Sequence, residues 1–166
     1  MRCIMKDFYM EQLIKRKNTR KTQLVILGLL VLAALSLPLI GTSLFFVFVP
    51  FGLALVIIFV YKMSDVEYEY TYFNGNIDID KIMSKEYRKH LISAELDEVE
   101  VIAPTGSLEI QQYRKVKKIN YSSHKRGNKT YQMVINHKGK RARIVFEPTQ
   151  ELLAEMKLAA PRKVFF

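Results

Sequence analysis

The chain has 166 residues, and its 26 lysines and arginines outnumber its 16 aspartates and glutamates, for a formal net charge of +10. This length corresponds to about one domain. The single cysteine, Cys3, excludes an intramolecular disulfide framework and fits a reducing compartment. Residues 24–61 contain no Asp, Glu, Lys, Arg or His, so the charges all lie on either side of one apolar segment.

Residues 1–21 form a basic N-terminal arm with seven Lys/Arg and two acids, which we expect in the cytoplasm. Apolar residues dominate positions 4–14, with charged and amide residues between them. One interpretation is a short helix that lies at a membrane interface or docks on the following domain. The other is an inward extension of the next helix. Both predict a helical arm.

Two apolar segments follow at 24–40 and 44–61, within a predicted transmembrane unit of residues 22–62. At about 1.5 Å per residue each helix would be roughly 25–27 Å long, close to the ~30 Å hydrocarbon core. The connector Gly41-Thr42-Ser43 is short, so the sequence predicts a two-helix transmembrane hairpin integral to the lipid bilayer. A signal peptide cleaved near residues 34–36 is one alternative. A buried core hairpin is the other, although no helix face carries a charge.

Positive charge sets the expected orientation. Five Lys/Arg at positions 15–21 precede the first span, Lys62 follows the second, and the connector carries none. The positive-inside rule then places both termini in the cytoplasm. The predicted localisation is therefore the cell membrane, multi-pass, with both termini cytoplasmic. No ionisable residue lies within the spans, so an anchor is favoured over a transporter.

Residues 63–166 are predicted to form a cytoplasmic β domain. Apolar or aromatic residues alternate with polar ones over 66–72 and 77–80, which is the period of a half-buried strand. Asn74-Gly75 between these stretches is a strong hairpin signal. A two-residue turn fixes the register. The predicted facing pairs are Tyr72 with Ile77, Tyr70 with Ile79, and Glu69 with Asp80.

Five further strands are predicted after this hairpin, at 87–93, 98–103, 116–121, 130–136 and 140–146. A short helix is expected at 107–114. A C-terminal helix is predicted at 148–160, because Pro148 suits a first turn and Pro161 ends the helical pattern. The order is seven strands followed by a closing helix.

Three stretches at 68–82, 98–104 and 146–148, behind the two apolar segments, resemble an uncharacterised family of small two-span bacterial membrane proteins, mostly from Gram-positive anaerobes. The strand order resembles the pleckstrin-homology-like (PH-like) barrel. These resemblances imply an α+β membrane protein: a two-helix transmembrane hairpin plus a seven-stranded antiparallel PH-like barrel closed by a C-terminal helix. They imply no activity, because a fold does not specify a function.

The strongest candidate site is a run of eleven Lys/Arg between Ile110 and Phe146, a window without any acid. An anionic lipid surface attracts each nearby basic residue by about 1 kcal/mol. The alternatives are solvated strand faces, an acidic protein, and nucleic acid, which prefers aromatics among the charges. The predicted anion-binding residues are Arg114, Lys115, Lys117, Lys118, Lys125, Arg126, Lys129, Lys138, Lys140, Arg141 and Arg143.

No catalytic constellation is recognisable. The P-loop, GxSxG and HExxH motifs are absent, and the three histidines lack the spacing of metal ligands. Four acids on the first hairpin would suit a divalent cation, but a solvent-facing or ion-paired face is favoured. These acids are Glu67, Glu69, Asp78 and Asp80. We therefore expect no catalytic residue, metal or cofactor.

The sequence thus predicts a membrane-anchored, non-enzymatic binding or scaffold module that engages anionic lipid headgroups, a partner protein or a second copy of itself. One alternative is an accessory subunit of a larger membrane protein complex. The other is a nucleic-acid-binding membrane tether, which is the least favoured of the three.

Overall fold

The computed structural model describes residues 8–18, 20–41, 47–137 and 139–166. The strands in these ranges are β1 (Tyr9–Lys15), β2 (Val66–Phe73), β3 (Asn76–Met83), β4 (Tyr87–Glu95), β5 (Val99–Pro104), β6 (Lys118–Asn120), β7 (Tyr131–His137) and β8 (Lys140–Phe146). The helices are α1 (Arg20–Ser36), α2 (Phe48–Ser64), α3 (Leu108–Gln111) and α4 (Gln150–Ala159), and a 3-10 turn, Leu37–Gly41, follows α1.

The first sheet is antiparallel, with the strand order β1-β2-β3-β4. Its β2–β3 hairpin turns at Asn74 and Gly75, whose φ angles of 45° and 89° are the left-handed values that a two-residue hairpin turn requires. The predicted register is confirmed, because Tyr72 lies opposite Ile77, Tyr70 opposite Ile79, and Glu69 opposite Asp80.

The N-terminal arm contributes a strand, so both helical interpretations of it are wrong. β1 pairs with β2 from Tyr9 opposite Phe73 to Lys15 opposite Glu67. Its alternate side chains are half-buried, and Met10 is among those that pack against the core. This period-two burial is the signature of a strand with one covered face. The predicted domain boundary at residue 63 therefore leaves out one strand of the sheet.

The second sheet has the order β5-β7-β8-β6, and β6 runs parallel to β8. The seven strands predicted between residues 66 and 146 are all present. They do not form the predicted seven-stranded antiparallel barrel, because β1 adds an eighth strand, β6 pairs in parallel, and the described strands divide into two four-stranded sheets. That fold prediction is wrong. The closing helix is confirmed as α4, whose apolar face is buried in the core.

Tyr70 joins the two sheets at the centre of the core, where it is fully buried. Its ring meets Phe146 of β8 edge to face, with centroids 5.9 Å apart. Its hydroxyl donates to the backbone oxygen of Tyr121 (2.6 Å) and accepts from the backbone N–H of Glu147 (3.4 Å). Burial raises the pKa of Tyr70 well above its ordinary value, so the hydroxyl stays protonated and keeps its role as a donor.

Helices α1 and α2 follow β1 and precede β2 in the chain, and they contact each other. Of their described side chains, only Ser36 is buried. Each helix has 17 residues, which corresponds to about 25 Å against a hydrocarbon core of about 30 Å. No helix in the described ranges is long and apolar enough to cross a membrane. The predicted transmembrane hairpin and the multi-pass cell-membrane localisation with cytoplasmic termini are therefore wrong.

The transmembrane prediction fails because the helices begin and end at different residues from the apolar segment. Arg20 and Lys21 belong to α1, Lys62 belongs to α2, and the α-helical geometry of α1 stops at Ser36, before the apolar segment ends. The apolar segment and the helices therefore do not coincide. Residues 42–43 of the predicted connector and 44–46 of the predicted second span lie outside the described residues.

Replacing Tyr70 by phenylalanine tests the link between the sheets. The variant leaves the oxygen of Tyr121 and the N–H of Glu147 without this partner, so we expect the free energy of unfolding to fall by about 1–3 kcal/mol. Urea unfolding followed by near-ultraviolet circular dichroism measures the loss. The matched control is Tyr87→Phe, whose side chain is exposed and should cost less than about 0.5 kcal/mol. Equal losses would contradict the assigned role of Tyr70.

Candidate functional site

A buried carboxylate holds the loop of residues 122–129 against the end of β8. Glu147 is only 6% exposed. Its Oε1 accepts hydrogen bonds from the backbone N–H (3.0 Å) and the Oγ (2.9 Å) of Ser123, and its Oε2 accepts one from Nδ2 of Asn128 (3.0 Å). Hydrogen bonds to a charged acceptor are stronger than neutral ones. The loop is therefore held in one conformation despite the repulsion among its cations.

The strand β1 is tied to the same corner of the molecule. The side-chain amide of Gln12 donates to the backbone oxygen of Glu147 (2.8 Å) and accepts from the backbone N–H of Thr149 (2.9 Å). Beyond the end of β1, the backbone N–H of Lys17 donates to the oxygen of Ser123 (2.8 Å). The loop, the strand and the start of α4 therefore hold one another in place.

This arrangement puts loop cations beside cations of the N-terminal arm. A cleft of about 410 Å³ is lined by Arg16, Lys17 and Lys125 together with the ion pair between Lys15 and Asp65 (2.7 Å). The hydrogen bond to Asp65 raises the pKa of Lys15 above its ordinary value, which favours the charged form of Lys15. We name Arg16, Lys17, Lys125 and Arg126 the basic collar. None of these four has a carboxylate partner among the described residues.

The predicted basic residues fall into two groups. Lys118 lies opposite Arg143 where β6 runs beside β8, whereas the loop follows the far end of β6. From Arg143, opposite Lys118, to Glu147, which holds the loop, the extended chain spans about 13 Å at ~3.3 Å per residue. The first group is Arg114, Lys115, Lys117, Lys118, Lys140, Arg141 and Arg143, and the second is Lys125, Arg126 and Lys129. Lys138 lies outside the described residues.

Two members of the first group, Arg141 and Arg143, are held against the protein. Nε of Arg141 donates to Oε1 of Glu100 (2.7 Å), so the two charges offset each other. The backbone N–H of Arg143 donates to the oxygen of Lys117 (2.9 Å), and the half-buried Arg143 side chain leaves its Nε without a hydrogen-bond partner among the described residues. Every member of the first group except Arg143 is exposed, as is the whole of the second group. The second group is the better candidate for an anion-binding surface because Lys125 lines a cleft together with Arg16 and Lys17 of the arm.

Sequence reasoning missed both Glu147 and the contribution of the arm. Glu147 is the first acid after an acid-free window and directly precedes Pro148, which is the available signal for a special role. Lys17 and its basic neighbours were assigned only to the orientation of the helices. Their approach to residues 122–129 depends on a contact between positions more than a hundred residues apart, which local patterns do not reveal.

Two of the four acids of the first hairpin, Glu69 and Asp80, have partners on β4. Arg88 on β4 forms an ion pair with Glu69 and approaches Asp80 (3.4 Å), and Nδ1 of His90 lies 2.8 Å from Oδ1 of Asp80. No group of three or more His, Cys, Asp or Glu in the described part of the chain is placed to hold a metal ion. The ion-paired interpretation therefore fits Glu69 and Asp80.

A family model described as Bacterial PH-like domain (DUF6106) matches residues 6–166. The chain belongs to this family. The match includes β1, so the family's own domain contains the strand that precedes the helices. Membership confirms the bacterial, PH-like part of the resemblance seen in the sequence and indicates a binding module of a typically non-catalytic kind. It does not support the two-span membrane part. No curated protein matches the chain.

Glu147→Ala tests whether this carboxylate fixes the loop of the PH-like domain. The substitution leaves the N–H of Ser123 and the amide of Asn128 without their acceptor, so we expect a loss of about 1–3 kcal/mol of unfolding free energy. Amide hydrogen exchange should also accelerate over residues 122–129. The control is Glu86→Ala, because Glu86 is exposed. Unchanged exchange in the loop would show that other contacts fix it.

Proposed function

We propose that this PH-like domain is a non-enzymatic module that binds anionic lipid headgroups through its basic collar. What most supports the proposal is the position of the collar next to exposed apolar side chains of α2: Tyr61 lines one cleft with Arg16, Lys17 and Lys125, and Met63 lines another with Arg16 and Lys17. The proposal concerns contact with a lipid surface and needs no helix that crosses it.

Cations that the protein leaves without a carboxylate partner in its described ranges supply the electrostatic attraction. Lys125 and Arg126 are exposed in a loop that Glu147 holds in place. Each basic residue near an anionic surface contributes about 1 kcal/mol, and the attraction decays within a Debye length. Because the loop is already ordered, little conformational entropy is lost when its cations meet phosphate groups.

The ends of α1 and α2 supply exposed apolar side chains. Leu24 and Leu27 near the start of α1 are 65% and 57% exposed, and Tyr61 and Met63 near the end of α2 are 64% and 57% exposed. Exposed apolar patches mark interaction sites, and Tyr61 and Met63 lie beside collar residues. A lipid surface offers anionic headgroups and acyl chains side by side, whereas nucleic acid offers charge without aliphatic surface. The combination therefore favours lipid.

The test measures how the full chain partitions onto vesicles of phosphatidylglycerol and phosphatidylcholine. We expect Lys125→Gln with Arg126→Gln to lower the partition coefficient by roughly 10–30-fold, because two cations of about 1 kcal/mol each are removed. Added salt should weaken binding of the unsubstituted chain in the same direction.

The matched control is Lys117→Gln with Lys118→Gln, which removes the same charge at the other end of β6. We expect it to change the partition coefficient by less than about threefold, since these cations lie outside the collar. If both pairs reduce binding equally, net charge and not the collar is responsible. If vesicles of phosphatidylcholine alone bind the chain as well as anionic vesicles do, headgroup recognition is contradicted.

A further inference from the structure

Exposed sheet edges can accept an added strand, and three of the four edges in the described sheets are obstructed. The edge of β5 is covered by the C-terminal segment, where Ile102 donates its N–H to the oxygen of Lys163 (2.7 Å). β6 is only three residues long. β4 lies opposite a register shift in β3 and carries Arg88 and Lys89. Short, irregular and charged edges resist pairing.

The edge of β1 is the exception. The strand is seven residues long and pairs with β2 without a register shift or a proline. Two hydrogen bonds at its ends fix the direction of its backbone groups: Arg16 N–H donates to Val66 O (2.9 Å), and Asn74 N–H donates to Phe8 O (3.4 Å). Hydrogen-bonded pairs alternate along an antiparallel ladder. The even-numbered residues of β1 therefore bond to β2, and the odd-numbered ones point away from it.

The outward backbone groups of β1 are open. Within the described residues, no hydrogen bond reaches the backbone N–H or oxygen of Glu11, Leu13 or Lys15 on that side. The N–H of the next odd-numbered residue, Lys17, has an acceptor within the protein, the backbone oxygen of Ser123 (2.8 Å). Beyond the end of β1, the loop that supplies Ser123 therefore already hydrogen-bonds to this side of the arm. The outward backbone groups of β1 point in the same direction as the N–H of Lys17, so they can pair with an added strand.

A cleft of about 640 Å³ runs between this edge and the loop. One wall is β1, the opposite wall includes Lys125 and Lys129, and Tyr131 and Leu153 contribute apolar surface. The carboxylate of Glu147 also lines the cleft, but Ser123 and Asn128 already hydrogen-bond to it. The cleft therefore presents backbone donors and acceptors on one side and exposed cations on the other.

We infer that this cleft binds an extended acidic segment of a protein partner, which adds to the first sheet as a strand beside β1. The backbone of the segment pairs with Leu13 and Lys15, which line the cleft, and its carboxylates meet Lys125 and Lys129. Strand addition takes its affinity from main-chain hydrogen bonds and its specificity from alternate side chains. A second copy of β1 fits less well, since its one glutamate and one lysine bring no net negative charge to these lysines.

The experiment uses a fluorescently labelled six-residue peptide of alternating glutamate and valine, with anisotropy measured against the full chain. The matched probe has the same sequence with every backbone amide N-methylated, which keeps the charge and removes strand pairing. We expect the methylated peptide to bind at least tenfold more weakly. Lys125→Gln with Lys129→Gln should weaken the unmethylated peptide by a similar factor, whereas Lys89→Gln on the opposite sheet edge should leave its affinity unchanged.

Three outcomes would overturn the inference. Equal affinity for the two peptides would mean that charge alone is recognised, and no measurable binding of either would mean that the edge does not accept a strand. Competition by phosphatidylglycerol vesicles without any effect of methylation would assign the cleft to lipid headgroups. The lipid proposal has a separate readout, because Arg126 belongs to the collar and does not line this cleft.

Discussion

The pairing of β1 with β2 is the constraint on which the rest of the molecule depends. It brings Arg16 within hydrogen-bonding distance of Val66 although both long helices lie between them in the chain. Two antiparallel helices that contact each other return the chain close to its starting point. The entropic cost of closing a loop grows only slowly with its length, so a sheet can accommodate an inserted helical pair between two adjacent strands.

Both proposed surfaces follow from this pairing. It holds Gln12 against Glu147 and Lys17 against Ser123, and these contacts align the arm with the basic loop. One side of the loop faces the helix ends, where the collar meets apolar surface. The other side faces the open edge of β1. Lys125 lines the clefts on both sides. The proposed lipid binding and the proposed strand addition would therefore compete for this residue.

The sequence contained enough local information for the strands after residue 66 and for the first hairpin. Period-two alternation and the Asn74-Gly75 turn are short-range signals, and they fixed the register of β2 and β3 correctly. β1 was missed because seven residues beside a long apolar segment fit either the period of a helix or the period of a strand. The apolar composition of residues 24–61 gave no indication of where the helices end, so a membrane hairpin was wrongly predicted.

The candidate site was predictable only in part. Charge counting found the loop cations, but it merged them with residues near Lys118 at the other end of β6. Linear sequence order does not show that extended strands separate such groups. The role of Glu147 depends on Ser123 and Asn128, which approach it only once β8 is paired and the loop has folded back. A non-local contact of this kind has no local pattern.

Cross-linking tests the β1–β2 pairing most directly. In a Cys3→Ser background, Glu11→Cys and Thr71→Cys place two thiols at directly opposed positions of a non-hydrogen-bonded pair, where Cα atoms lie about 4.5 Å apart and a disulfide can close. The account predicts rapid disulfide formation under mild oxidation, and none for Glu11→Cys with Asp78→Cys, since β2 lies between those positions. Failure of the first pair, or equal cross-linking of both, would contradict it.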